Sequence, residues 1–116
     1  MSHYYSSNGS SWEVDPIAGN GTTYSAPAIA VLPTGEVAVV VEGPSGSLMR
    51  YTSTTPSPNG PSEWSPTIVA PSGTIAGPYY TDGPPGVAAR PTGELDVVAS
   101  GANNTLLYLS SDPPYT

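Results

Sequence analysis

The segments PAIAVLPTGEVAVVVEGPSGSLMRYTS (27–53) and PGVAARPTGELDVVASGANNTLLYLSS (85–111) align at a shift of 58, with eleven of 27 positions identical. The identities include the whole Pro-Thr-Gly-Glu turn and the pairs Gly43/Gly101 and Leu48/Leu106. Self-similarity at such a period means that one supersecondary unit is used more than once. A second alignment, at a shift of 52, places Trp12 on Trp64 and Gly21 on Gly73; the difference is a six-residue insertion in the second copy, around Ala76 to Thr81. The N-terminal HYYSS (3–7) falls on residues 50–54 and 108–112.

Within each copy, short alternating runs are separated by turn residues, which predicts strands. The first strand is Ala28 to Leu32, or Gly86 to Arg90; the second is Glu36 to Glu42, or Glu94 to Ser100; the third is Ser47 to Thr52, or Thr105 to Ser110. A fourth follows the tryptophan, Trp64 to Val69 or Trp12 to Ile17, and residues 3–6 add a further third-type strand, giving nine. Gly35 and Gly93 sit where the Pro-Thr-Gly-Glu turn calls for positive φ. On the second strand Val37, Val39 and Val41 share one face, as do Leu95, Val97 and Ala99. The opposite face carries Ala38 and Val40, or Val98, so a sheet with one wet face is the wrong picture. Both faces are expected to be covered.

A repeat of about 50 residues holding four short strands is the pattern of a β-propeller blade. The expected fold is therefore all-β, with blades of four antiparallel strands, two blades per chain and a ring closed by oligomerisation. The single module occupies 1–116, with repeat 1 at about 12–61, repeat 2 at about 64–116, and an N-terminal segment, 2–18, completing a neighbouring blade. Two blades cannot close a ring, and an uncovered blade face exposes core residues. Cyclic association of three or four identical chains would give six or eight blades.

Composition bounds the partners. Two Lys plus Arg against nine Asp plus Glu give a net charge of -7, which excludes the basic footprint needed by a nucleic-acid binder and disfavours anionic lipid. The absence of Cys and the single histidine, His3, leave no thiolate zinc site, no multi-His metal site in one chain and no Cys nucleophile. No run of eighteen apolar residues could insert in a membrane, and the first residues lack the basic and apolar regions of a signal peptide. Phe is absent, Leu, Ile and Val are sparse, and 13 Gly with 15 Pro bring the composition close to that of disordered segments. Eight Tyr and two Trp supply the buriable surface that offsets this.

Trp12, then Gly-x-Gly-Thr-Thr-Tyr-Ser-x-Pro (19–27), an apolar strand, Pro-Thr-Gly-Glu, a Val-rich strand, and Gly-Pro-x-x-Ser-Leu-x-x-Tyr (43–51) together resemble the bacterial β-propeller lectins of the PLL-like kind. The pattern is also similar to tectonin-like propeller repeats. The resemblance implies shallow sugar sites lined by aromatic residues, often between adjacent blades, and an extracellular address. Such families usually hold six or more blades in one chain, from which this sequence departs.

Neutral sugar suits the chain's own chemistry. Sugars present apolar C–H faces and a rim of hydroxyls, which aromatic planes and nearby acceptors recognise. The insertion AGPYYTD (76–82) breaks the repeat, and insertions of this kind map to a loop on one face. Tyr79, Tyr80 and Asp82 are thus the first candidates, followed by Tyr24, Trp12 and Trp64. The alternative for both tryptophans is packing at a blade edge. Enzymes are less well served. A glycosidase needs two carboxylates, one with a raised pKa. Glu36 and Glu94 occupy equivalent turns, where a solvated carboxylate mainly serves the turn, and Glu42 and Asp96 complete the possibilities. SSNGSSW (6–12) lacks the Asp of a sialidase box, and the only arginines are Arg50 and Arg90. The sequence reads as a non-enzymatic, carbohydrate-binding propeller module with no cofactor, its partners being neutral glycan and identical chains. The alternatives are a ligand-free structural or interaction scaffold and, third, a glycoside hydrolase.

Overall fold

A computed structural model describes residues 1–6, 8–58, 60–75, 85–101 and 105–111. Its strands are β1 (Ser2–Tyr5), β2 (Glu13–Pro16), β3 (Ala28–Val31), β4 (Val37–Glu42), β5 (Leu48–Ser53), β6 (Trp64–Ala70), β7 (Gly86–Ala89), β8 (Leu95–Ser100) and β9 (Leu106–Ser110). Every expected strand is present, and among the described residues there is no α-helix. Pairing is antiparallel throughout and runs between chain neighbours, in three sheets: β1–β2, β3–β4–β5–β6 and β7–β8–β9.

Among the described residues one sheet, β3–β6, has four strands and the other two have two and three, so the expected pair of four-stranded blades is not shown. The reason is where the tryptophan strand goes. Trp64 opens the second sequence repeat, but its strand pairs back on β5, with Trp64 opposite Ser53 and Thr67 opposite Arg50. The strand heading each sequence repeat therefore ends the preceding sheet.

The two turns of the repeat are built alike. Leu32 donates its N–H to the Glu36 carbonyl at 2.8 Å, and Gly35 donates to the Leu32 carbonyl at 2.9 Å; Arg90, Glu94 and Gly93 repeat these bonds at the same distances. Gly35 and Gly93 take φ of +98° and +99°, which only glycine adopts freely. Next along, Val37 N–H donates to Ser53 Oγ at 2.8 Å and Leu95 N–H to Ser111 Oγ at 2.9 Å, so serines at the ends of the third strands hold the start of each second strand.

The second strand of the middle sheet, β4, is buried on both faces, as the apolar valine run requires. All six residues of β4 are buried. Val37, Val39 and Val41 pack with Ile17, Tyr51 and Trp64 on the side of the β1–β2 sheet. On the other side Val40 joins Leu48, Ala70, Ile75, Val97 and Ala99, while Ala38 joins Leu32 and Leu95. The sheets thus stack in chain order, with β1–β2 and β7–β9 flanking β3–β6.

A loop contact secures the second of these interfaces. The Gly46 carbonyl accepts from Ile75 N–H at 2.9 Å while the Ser45 carbonyl accepts from Gly73 N–H at 2.9 Å. Gly46 has φ +73°, and a Cβ there would lie 2.8 Å from the Ile75 carbonyl oxygen. Gly46→Ala is expected to lower stability by about 1–3 kcal/mol, from backbone strain plus that clash. Urea unfolding at constant slope measures it; a midpoint equal to wild type would contradict the contact.

Candidate functional site

The most structured polar site lies where the β1–β2 sheet meets β6. Asp15 is 2% exposed, and it accepts a hydrogen bond from Trp64 Nε1–H at 2.8 Å and another from Gly60 N–H. His3, opposite Asp15 in the β1–β2 register, places Nδ1 4.0 Å from Asp15 Oδ2. Its ring stacks on Tyr5 at 5.3 Å and meets Trp64 edge-on at 5.6 Å. A buried carboxylate is tolerable because two N–H donors aim at it. Sequence reasoning passes over Asp15, since its repeat partner at a shift of 52 is Thr67. The available signal is positional: His3 and Asp15 align with Arg50 and Thr67, polar pairs facing each other across strands.

The candidate sugar-binding residues fall in several places. Trp64 is 5% exposed and spent on packing and on Asp15. Trp12, its repeat equivalent, is 66% exposed just before β2. Tyr24 is exposed on the connection from β2 to β3, where its N–H donates to the Glu42 carbonyl at 2.9 Å. Among the described residues no ring contact joins Tyr24, Trp12 and Trp64. Tyr79, Tyr80 and Asp82 lie outside the described residues.

A groove of about 150 Å³ opens between the middle sheet and the β7–β9 sheet. Val40, Arg50, Thr67, Leu95, Leu109 and Ser111 are among its walls, and Arg50 donates from its guanidinium to Thr67 Oγ1 at 3.3 Å. Its walls are mixed, apolar from Val40, Leu95 and Leu109 and polar from Arg50, Thr67 and Ser111.

On the outer face of β7–β9, Arg90 grips Asp96 through Nε at 2.7 Å and a terminal nitrogen at 2.9 Å. Tyr108 completes the cluster, donating its hydroxyl to Asp96 at 2.6 Å and accepting from Arg90 at 2.9 Å. The Arg90 hydrogen bonds, then the Tyr108 hydroxyl, hold the Asp96 carboxyl below its ordinary pKa. Glu36 is also lowered, first by the hydrogen bond from Thr34 in its own turn. Both shifts run opposite to what a glycosidase acid requires. Glu94 is engaged likewise by Thr92, so the two repeat glutamates serve their turns.

Because Asp96 is lowered on folding, its contribution is complete above about pH 4 and is lost as pH falls through the depressed value. Asp96→Asn is expected to flatten the acid limb of a stability profile and to weaken the chain only slightly at pH 7, the pair being exposed. Urea midpoints for both proteins between neutral and acidic pH check this; parallel profiles would contradict it.

Compared with protein-family models and with curated proteins, the chain matches none, so its functional reading rests on its own residues and their placement.

Proposed function

We propose that this chain is a non-enzymatic β-propeller module that assembles with identical chains into a ring and binds neutral glycan in the manner of a lectin. The observation that carries the proposal is the stack of three antiparallel sheets in which β4 is buried on both faces while β3 and the outer face of β7–β9 leave large apolar side chains in water. Ile29 and Val31 are exposed on β3 of the middle sheet, and Val98, Leu106 and Tyr108 on β8 and β9. Chains that stack such units leave neither end face bare; a further unit or a polar cap covers it. Three or four chains complete six or eight blades under cyclic symmetry.

The ligand class is supported by the exposed ring of Tyr24, by the tyrosine-rich insertion at 76–82, by the resemblance to propeller lectins and by the net charge of -7, which repels sialylated or sulfated glycans. Loops at the rim of such an assembly supply rings at little cost to the fold. A glycan array probed with the assembled protein tests the reading. Binding to neutral sugars, weakened about tenfold or more by Tyr79→Ala with Tyr80→Ala, is the expected result. A second reading, a ligand-free scaffold, is favoured by the dispersal of Tyr24, Trp12 and Trp64, and an intact ring that binds no glycan on the array would establish it over the first.

A further inference from the structure

The internal contact between the middle sheet and β7–β9 is a template for the contact that the outer face of β7–β9 lacks among the described residues. At a shift of 58, Leu106 is the equivalent of Leu48, yet Leu48 is 1% exposed and Leu106 is 81% exposed. Tyr108 is the equivalent of Arg50, and the two are 59% and 6% exposed. Val98, exposed, answers to Val40, which is fully buried. The positions are the same and only the covering sheet differs. On β3 of the middle sheet Ile29 is exposed while its equivalent, Val87, packs into two of the cores.

The strand inventory of the described residues says what the end sheets lack. Each full sheet needs first-, second-, third- and fourth-type strands; β7–β9 supplies the first three, and β1–β2 the last two. The third type is therefore present at both ends of the chain. Alignment places His3, Tyr4 and Tyr5 on Tyr108, Leu109 and Ser110. β9 can thus occupy the place of β1 against β2 without change of register. The β5–β6 pairing carries over as Ser111 opposite Trp12, Ser110 opposite Glu13 and Leu109 opposite Val14.

That register delivers Trp12 to a place already shaped for it. Trp64 points from β6 into the neighbouring sheet, against His3 and Asp15. The equivalents of those two residues are Arg50 and Thr67, which wall the groove between the middle sheet and β7–β9, together with Ser111 and Leu109, the equivalents of Ser53 and Tyr51. The groove stands where the tryptophan of a fourth strand on β9 would go.

We propose that this groove is the receptor for Trp12 of a second copy, whose β2 adds as fourth strand to the edge of β9 that no described strand pairs with, β9 taking the place of the incoming copy's β1. The inference rests on the assembly reading above and specifies how the chains join. Each chain then contributes eight ordered strands to the ring, two full sheets, and the ninth becomes the surplus β1. The indole N–H of Trp12 finds an acceptor in Thr67 Oγ1, whose hydroxyl oxygen keeps a second acceptor site beside Arg50.

The absence of cysteine makes the test clean. In the full chain, Glu13→Cys with Ser110→Cys places one thiol in the β1–β2 sheet and the other in the β7–β9 sheet, on opposite flanks of the middle sheet. Sheets pack about 10 Å apart, so these thiols cannot join within one chain. Oxidation is expected to give links between chains at those two positions. In the competing arrangement the β1–β2 hairpin enters whole and displaces β9, which puts Tyr5 opposite Asp96; efficient linking of Tyr5→Cys with Asp96→Cys instead would overturn the proposal. Trp12→Ala is expected to raise the dissociation constant of the assembly at least about 30-fold while the unfolding midpoint of the dilute single chain stays unchanged. An assembly of wild-type mass and affinity lacking Trp12, or one without the 13–110 link, sinks the inference and leaves ring assembly standing. A monomer at all concentrations removes ring assembly itself.

Discussion

Leu48→Ala is expected to lower the unfolding free energy of the single chain by about 2–5 kcal/mol, whereas Leu106→Ala, the same position one repeat later, changes it by no more than about 0.5 kcal/mol. The two leucines occupy equivalent places on third-type strands, β5 and β9. Leu48 is enclosed by Val40, Ala70, Ile75, Val97 and Ala99, and truncation there leaves a cavity that rigid neighbours cannot fill. Leu106 projects into water and loses almost nothing on truncation. The asymmetry is a property of the chain standing alone. Under assembling conditions Leu106→Ala should weaken association, because its side chain then has a sheet to pack on. Urea unfolding at low protein concentration and solution mass at high concentration separate the two effects. Equal destabilisation of the dilute chain by both substitutions would show that the β7–β9 outer face is covered by the chain itself.

Asp15→Ala is the second large effect, about 2–5 kcal/mol. It strips the acceptor from two donors, the Trp64 indole and the Gly60 amide, and a buried donor without a partner costs roughly 1–3 kcal/mol. Asp15→Asn retains one amide oxygen and is expected to cost about half as much, since its NH2 group must then face a donor. Trp64 is the buried tryptophan and Trp12 the exposed one, so the blue side of the emission band follows this node during unfolding. An Asp15→Ala protein with wild-type stability would mean that the carboxylate is not the anchor between the β1–β2 sheet and β6.

The parts of the fold that are legible in the sequence are those governed by local chemistry. The alternating valines of β4 carry no polar residue on either face between Val37 and Val41, which reads directly as a strand covered on both sides, and it is. The Pro-Thr-Gly-Glu turns announce themselves because only glycine takes the required φ cheaply. Grouping of strands into sheets is less legible. Sequence similarity marks a repeat without marking where a sheet begins, and the pairing of Trp64 with Ser53 is a tertiary event that no window reveals. The two tryptophans show the same limit at the level of a site. They are equivalent in sequence, but Trp64 has the β1–β2 sheet beside it and Trp12 has water, so environment and not residue type separates packing from exposure. Asp15 is hidden for the opposite reason: its partner position holds Thr67, so it looks like ordinary surface variation. Tyr24 is exposed as a loop ring should be, while the insertion carrying Tyr79, Tyr80 and Asp82 falls outside the described residues.

The carboxylates of the two turns and of β8 show what geometry adds to composition. Glu36 and Glu94 each accept from a threonine two residues earlier in the same turn. Asp96 is tied to Arg90 and Tyr108. The donors lower the pKa of Glu36 and of Asp96, which leaves those two carboxylates poorly suited to giving up a proton to a leaving group.

Solution mass tests the account at its centre. The chain weighs 11.8 kDa, and light scattering on a size-separated sample should return a single species of three or four chains. A monodisperse, cooperatively folded protein with the mass of one chain across the concentration range would contradict it, because the open faces around Ile29 and Leu106 would then be stable in water without a partner.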